Sequence, residues 1–293
     1  MARVPITRIN NYWIFYSIAR FSPAERICHS TSSPHRSANY FTYNMKPISA
    51  ALIFSSLPLL AAADQQTMLD SFTTAPGLEA KLWAGTDMVH SPTAIDADAK
   101  GRLWVTEDLQ KSGEKGPHSR IKILADTNND GKADSVKIFG PTFGSKPLGI
   151  SVFDNVIVVS MAPNIHVYTD VNRDDIFDPK VDTEKIIAKG FHGRTHDHAL
   201  HAVVPGPSGK WYFNHGNIGA DVTMSDGRQI NASSYYSQNS KSIGKKSFDG
   251  RLYVGGFGVR MNPDGSKAEV IFQNSRNTHA MLVNSFGDVF IAD

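Results

Sequence analysis

The sequence predicts an all-β fold, a β-propeller of four-stranded blades. Three observations lead there. Short runs of β-branched and aromatic residues recur along the chain, separated by turns rich in Gly, Asn, Asp and Ser. Helical 3.6-residue periodicity is almost absent. The runs group into units of an inner strand pair followed by an outer hairpin, and four-stranded repeats of this kind are the sequence signature of a propeller. A parallel α/β fold would need helices between its strands. A β-sandwich is the structural alternative.

The inner pairs come in order. The first joins Thr93–Asp96 to Arg102–Thr106 across Asp98–Gly101, and the second joins Leu148–Val152 to Val156–Ser160 across Asp154-Asn155. The third joins Leu200–Val204 to Lys210–Asn214 across Gly206–Gly209, and the fourth joins Ala280–Val283 to Asp288–Ile291 across Ser285–Gly287. Outer hairpins are expected at 120–139, 165–187 and 253–272, the last turning at Asn262-Pro263-Asp264-Gly265. This makes three full units and the first half of a fourth. Propellers close with about four to eight blades, so residues 64–293 read as an incomplete, N-terminal part of a longer propeller.

Two outer hairpins carry acidic tips, Asp126–Asp134 and Asp170–Asp178, both reading D-x-N-x-D-[GD]-x-x-D. Oxygen side chains fall at relative positions 1, 3, 5 and 9: Asp126, Asn128, Asp130 and Asp134 in one loop, Asp170, Asn172, Asp174 and Asp178 in the other. Calcium takes about six to eight oxygen ligands, and such a loop can wrap around it. An EF-hand would need Glu at position 12; Lys137 and Val181 stand there instead. The plain alternative is an Asx-rich turn with no ion. In the second loop Asp175 replaces the Gly of the first.

The N-terminal 63 residues lie apart from this pattern. Residues 1–44 hold five arginines against one acid, Glu25, and many Ser. Met45-Lys46 opens a second start, and Ile48–Leu60 is an apolar run too short to span a membrane. Ala61-Ala62-Ala63 before Asp64 fits a signal-peptide cleavage site. The expectation is a secretory signal at 45–63, an upstream extension at 1–44 from a misplaced start, and an exported protein, periplasmic or extracellular, beginning at Asp64. The only cysteine, Cys28, lies before that point, which excludes disulfides, thiol chemistry and a C-x-x-C-H haem site from 64–293. The formal net charge of +2 points to neither nucleic acid nor an anionic membrane.

Five histidines crowd one stretch: His192, His196, His198, His201 and His215. His196 and His198, at spacing two, are expected to enter a strand on one face, and His201 to face the other way. Imidazoles can bind a transition metal or act as a general base near neutrality. Hydrogen-bonded loop histidines are the plain alternative.

From Asp197-His198 through Gly206-Pro207, Lys210–Phe213 and Gly216-Asn217-Ile218-Gly219, the chain resembles the quinoprotein soluble glucose/sorbosone dehydrogenases, a six-bladed propeller group. Ser275-Arg276-Asn277, followed by Ser285–Phe290, extends the resemblance. It implies that His198 is the base taking the substrate hydroxyl proton. Asn217 stands in the place of the acid that orients it, and Arg276 and Asn277 would contact pyrroloquinoline quinone. Asn217 carries no charge, and Thr278 stands where that group has Pro.

A second resemblance is closer. Ser91–Asp96, Gly101–Glu107, the acidic loop, Pro147–Ile150 and His196-Asp197-His198 with Leu200-His201 are similar to large planctomycete and verrucomicrobial proteins named as membrane-bound dehydrogenases. That likeness covers most of 80–293. It implies a longer parent, often with helical repeats and a C-terminal cytochrome c domain.

Three functions fit these residues. One is quinone-dependent oxidation of a sugar or other alcohol. Another is a calcium-stabilised propeller that binds carbohydrate or protein without turnover. The third is a metal site at His196, His198 and His201. Propellers host all of these, so the fold alone does not choose.

Overall fold

The computed structural model describes residues 67–109, 116–192, 198–234 and 242–293. The expected extension and signal, 1–44 and 45–63, fall outside them. Described residues up to Leu82 belong to one unit, with a helical turn at 67–70, and Trp83–Asp293 form another. The second unit is all-β and propeller-like. Among the described residues no helix is long and apolar enough to cross a membrane.

The first blade is an antiparallel sheet of β1 (Pro92–Ala97), β2 (Leu103–Asp108), β3 (Ser119–Ala125) and β4 (Ser135–Phe143), in chain order. The second has β5 (Pro147–Phe153), β6 (Val156–Met161), β7 (Asn164–Thr169) and β8 (Thr183–Lys189). The third begins with β9 (Leu200–Pro205) and β10 (Trp211–His215). The chain then leaves it to form β11 (Ala220–Met224), β12 (Gln229–Ser233) and β13 (Tyr253–Val254). It returns in β14 (Gly256–Met261) and β15 (Glu269–Ser275), which pair beside β10. A last hairpin, β16 (Ala280–Val283) and β17 (Val289–Ala292), begins a further unit.

All the expected inner pairs and outer hairpins form. The excursion β11–β13 was not expected. It adds to the outer strand of the second blade, with Thr223 and Met224 opposite Lys189 and Ala188, and makes a seven-stranded sheet. An exposed outer strand offers unpaired N–H and C=O groups, and the excursion covers part of that edge. The sequence pattern assigns no strands between Asn214 and residue 253, because the short strands there lie between two halves of one blade.

Innermost strands of successive blades lie side by side: β1 by β5, β5 by β9, β9 by β16. Polar bonds tie them. Thr93 Oγ1 donates to the Pro147 carbonyl, Ser151 Oγ to Val203 O at 2.6 Å, and Ser160 Oγ to His201 O. Apolar layers fill the space between blades. Trp104, Phe139, Tyr168 and Phe177 form an edge-on aromatic stack between the first and second. Val158, Ile187, Leu200, Val222 and Phe213 join the second to the third and to the excursion.

Strand direction alternates within each blade, so connections gather at two ends. The β1–β2, β3–β4 and β7–β8 turns share one end. The β4–β5, β8–β9, β10–β11 and β15–β16 connections share the other. The acidic tips sit at the first end and the histidine-rich segment at the second.

Candidate active site

Three connections that are distant in sequence bring the candidate residues together at that second end. His198 lies in a helical turn before β9, since the strand begins only at Leu200. The spacing-two argument therefore does not apply to it. His196 and Asp197 lie outside the described residues. His198 Nδ1 is 2.7 Å from Asn217 Oδ1, just after β10. With that oxygen as acceptor, Nδ1 carries the proton and Nε2 the lone pair a base uses. Asn217 is buried and fixes this tautomer, but as a neutral group it supports a charged imidazolium less than a carboxylate would.

Gly216 holds the centre. Its N–H donates to Ala199 O at 2.7 Å, and the next residue but one, Ile218, donates to His198 O at 3.2 Å. A Cβ on Gly216 would stand 2.2 Å from Asn277 Oδ1 and 2.5 Å from His198 O. Only Gly lets the 275–280 connection approach so closely. The backbone N–H groups of Arg276 and Asn277 donate to the Asp293 carboxylate at 2.9 and 2.5 Å. Arg276 is exposed. Thr278 is fully buried, its hydroxyl 2.7 Å from Ser275 Oγ, and its carbonyl accepts from Asn214 Nδ2.

His201 and His215 are structural neighbours of this pair. His201 is buried, with Nε2 3.2 Å from Asn277 Oδ1 and its ring 4.4 Å from that of His279. Burial first, then the nearby His279 and His215, pushes its pKa down to about 3. His215 lies between Phe191 and Phe257, stacked at 5.8 and 5.2 Å. Burial pushes its pKa down to about 4, against the opposing hydrogen bond of Nδ1 with Gly216 O at 2.6 Å. Three buried polar atoms here have no hydrogen-bond partner: His201 Nδ1, His215 Nε2 and Asn214 Oδ1. His279 was not expected in the cluster. It lies far from the other histidines in sequence, and only the packing of β16 beside β9 brings it in.

An ion-paired group at the same end was also missed. Asp108, closing β2, pairs with Lys146 Nζ at 2.7 Å and His118 Nε2 at 3.4 Å. Its neighbour Glu107 is buried and accepts from His90 N–H at 2.6 Å and Arg120 Nε at 2.6 Å, with Lys122 Nζ at 3.1 Å. Burial pushes the Glu107 pKa up, but these donors outweigh it and the net shift is down. Alternation alone does not mark a buried carboxylate on a central strand.

At the opposite end both acidic tips adopt one conformation through position 6. Asp126 accepts from the N–H of Asp130 and Gly131 at 3.2 and 2.8 Å; Asp170 accepts from Asp174 and Asp175 at 3.2 and 2.9 Å. The amides of Asn128 and Asn172 face Asp130 and Asp174. Position 4 has positive φ in both loops, Asn129 and Arg173, as does position 6, Gly131 and Asp175. Beyond that they diverge. Asp134 accepts from Thr127 N–H and Oγ1, which hold its carboxyl below the usual range. In the second loop the corresponding bond, from Val171 N–H at 2.7 Å, goes to Asp182, not Asp178. Asp178 instead donates its N–H to Asp182 at 2.7 Å. Among the described residues no group of three or more His, Cys, Asp or Glu is arranged to hold a metal ion.

A family model described as a domain of unknown function, DUF7133, matches residues 64–293. No curated protein matches in sequence. Among solved structures, a carbohydrate-active enzyme of family AA12 from Trichoderma reesei is 14% identical, with a TM-score of 0.46 over 71% of this chain and 46% of its own. The pyranose dehydrogenase PQQ domain from Coprinopsis cinerea is 13% identical, with a TM-score of 0.42 over 74% and 46%. A virginiamycin B lyase from Staphylococcus aureus is 14% identical, with a TM-score of 0.32 over 71% and 79%. The chain thus spans under half the length of the first two.

Proposed function

The chain belongs to the DUF7133 family, and we propose that it is the dehydrogenase-like propeller part of an exported protein that oxidises a sugar or other alcohol with pyrroloquinoline quinone. The observation that carries this reading is the His198–Asn217 pair, 2.7 Å apart, beside Asn277 at the shared end of the blades. The donor set suits the cofactor: an exposed Arg276 guanidinium for its anionic oxygens, and the Asn277 amide for a carbonyl. Gly216 keeps the space between them and His198 narrow. Bound quinone would supply the acceptor for the hydride of the alcohol C–H. His198 Nε2 takes the hydroxyl proton, and Asn217 holds the ring in the tautomer that can do so. Calcium at the two acidic tips would act structurally, away from this chemistry. The full protein would be exported after cleavage before Asp64, with a cytochrome c domain as the electron exit.

Asn217 is also the observation favouring a second reading. A neutral partner supports the imidazolium less than a carboxylate would, which suits a propeller that binds carbohydrate or protein without turnover.

One experiment separates them. The full-length protein is loaded with quinone and calcium and assayed on a sugar panel with an artificial electron acceptor. Turnover that His198→Ala lowers by about 10²–10⁴-fold supports the dehydrogenase. Quinone binding absent by calorimetry, with no turnover on any sugar, leaves the binding module.

A further inference from the structure

Asn277 is gripped from two sides, by Gly216 and by His201. Its Oδ1 lies against Gly216, where no Cβ fits, and 3.2 Å from His201 Nε2. His201 is fully buried on β9 and carries no charge at neutral pH, so it has one ring N–H to give. Two arrangements are conceivable. If the proton is on Nε2, the Asn277 oxygen faces inward and its amide nitrogen faces the other way. If the proton is on Nδ1, Nε2 becomes an acceptor and the amide must turn over.

The surroundings of Nδ1 decide between them. That atom is buried and has no hydrogen-bond partner. A buried N–H without an acceptor is rarer, and costlier, than an acceptor lone pair left unused. The proton therefore belongs on Nε2. We infer that His201 is the positioning residue of this site: its buried Nε2–H fixes the Asn277 amide oxygen-in, and so sets the orientation in which Asn277 meets a ligand held beside His198.

The ligand part of this inference rests on the quinone reading above; the tautomer part does not. Two measurements on the full-length protein keep them apart. Nitrogen-15 NMR of the histidine rings should show His201 protonated at Nε2 and not at Nδ1. A proton on Nδ1 overturns the inference whatever the protein binds. The second measurement titrates pyrroloquinoline quinone, with calcium, into His201→Gln and His201→Asn. The Gln amide nitrogen can occupy the place of Nε2; that of Asn is too short to reach it. His201→Gln should keep affinity within about threefold, and His201→Asn should lose about tenfold or more, the scale of one buried hydrogen bond. The His198 ring signals should be unchanged in both. Equal affinity in the two variants overturns the positioning role. A wild-type protein that binds no quinone removes the dehydrogenase reading, and the ring tautomer then decides the inference by itself.

Discussion

The Arg102 guanidinium donates to Asp175 at 2.6 Å and so ties the first blade to the acidic tip of the second. Arg102 also reaches Asp98 at 2.7 Å, and Lys137 lies 3.3 Å from the same Asp175 oxygen. Asp175 occupies the position that Gly131 fills in the first tip, with φ of 66°. A non-glycine residue there costs about 1–2 kcal/mol. The inter-blade ion pair explains why the sequence tolerates it: the side chain that strains the loop also anchors it.

That exchange can be measured. Arg102→Ala should destabilise by about 1–3 kcal/mol, because it removes a charged donor from two largely buried carboxylates. Asp175→Gly should cost less, since it relieves the left-handed backbone while losing the pair. Combined, the two should fall short of additivity by about 0.5 kcal/mol or more in a urea-unfolding cycle. Strict additivity would mean that the pair does not link the blades.

Acid should weaken the fold through the buried histidines. The folded pKa values of His201 and His215 are lowered, to about 3 and about 4. Unfolded histidine titrates near about 6.5. The unfolded chain therefore binds protons first, and stability is full above that value and falls as pH drops toward about 4. Each group contributes up to about 1.4 kcal/mol per pH unit. The interval from about pH 6.5 to 5 precedes most carboxylate titration. Urea midpoints measured there should slope downward, and His215→Phe, which keeps the stack on Phe191 and Phe257, should flatten the slope. A slope unaltered by that change would show His215 accessible to protons.

Gly216→Ala tests the close approach at the site. Its methyl group would collide with Asn277 Oδ1 and with the His198 backbone. Overpacking of this kind costs about 1–3 kcal/mol, and the displacement should reach both candidate residues. Thermal unfolding and the His198 ring signals should change together. A variant with wild-type stability and unchanged signals would mean that the three connections are not tightly packed.

Calcium, if bound at the acidic tips, stabilises only the folded state, by about 2.7 kcal/mol at a hundredfold excess over Kd. Chelator should then lower Tm, and Asp130→Ala should abolish much of that response. The second tip needs a different probe, since Asp182 takes the bond that Asp134 takes in the first. Asp182→Ala should loosen it more than Asp178→Ala. Melting curves identical with and without EDTA would leave both tips as ion-free Asx turns.

The propeller-like fold was legible because its signals are local. Alternation within four to seven residues places each strand, and turns rich in Asp, Asn, Gly and Ser place each hairpin, without knowledge of any distant contact. The two acidic tips were legible for the same reason, down to the shared positions of Asp126 and Asp170. The His198–Asn217 contact was expected only from the family resemblance. What tertiary structure decided lies where separate blades meet. His201 follows His198 by an odd step, yet both face one cluster, because His198 precedes the strand and only His201 obeys its pleat. His279 and Asn277 reach that cluster from a connection after β15. Asp182 displaces Asp178, and the β11–β13 excursion finds its partner in β8 across a blade boundary. No period or turn motif encodes such contacts, since each depends on which surfaces the blades bring together once they have packed.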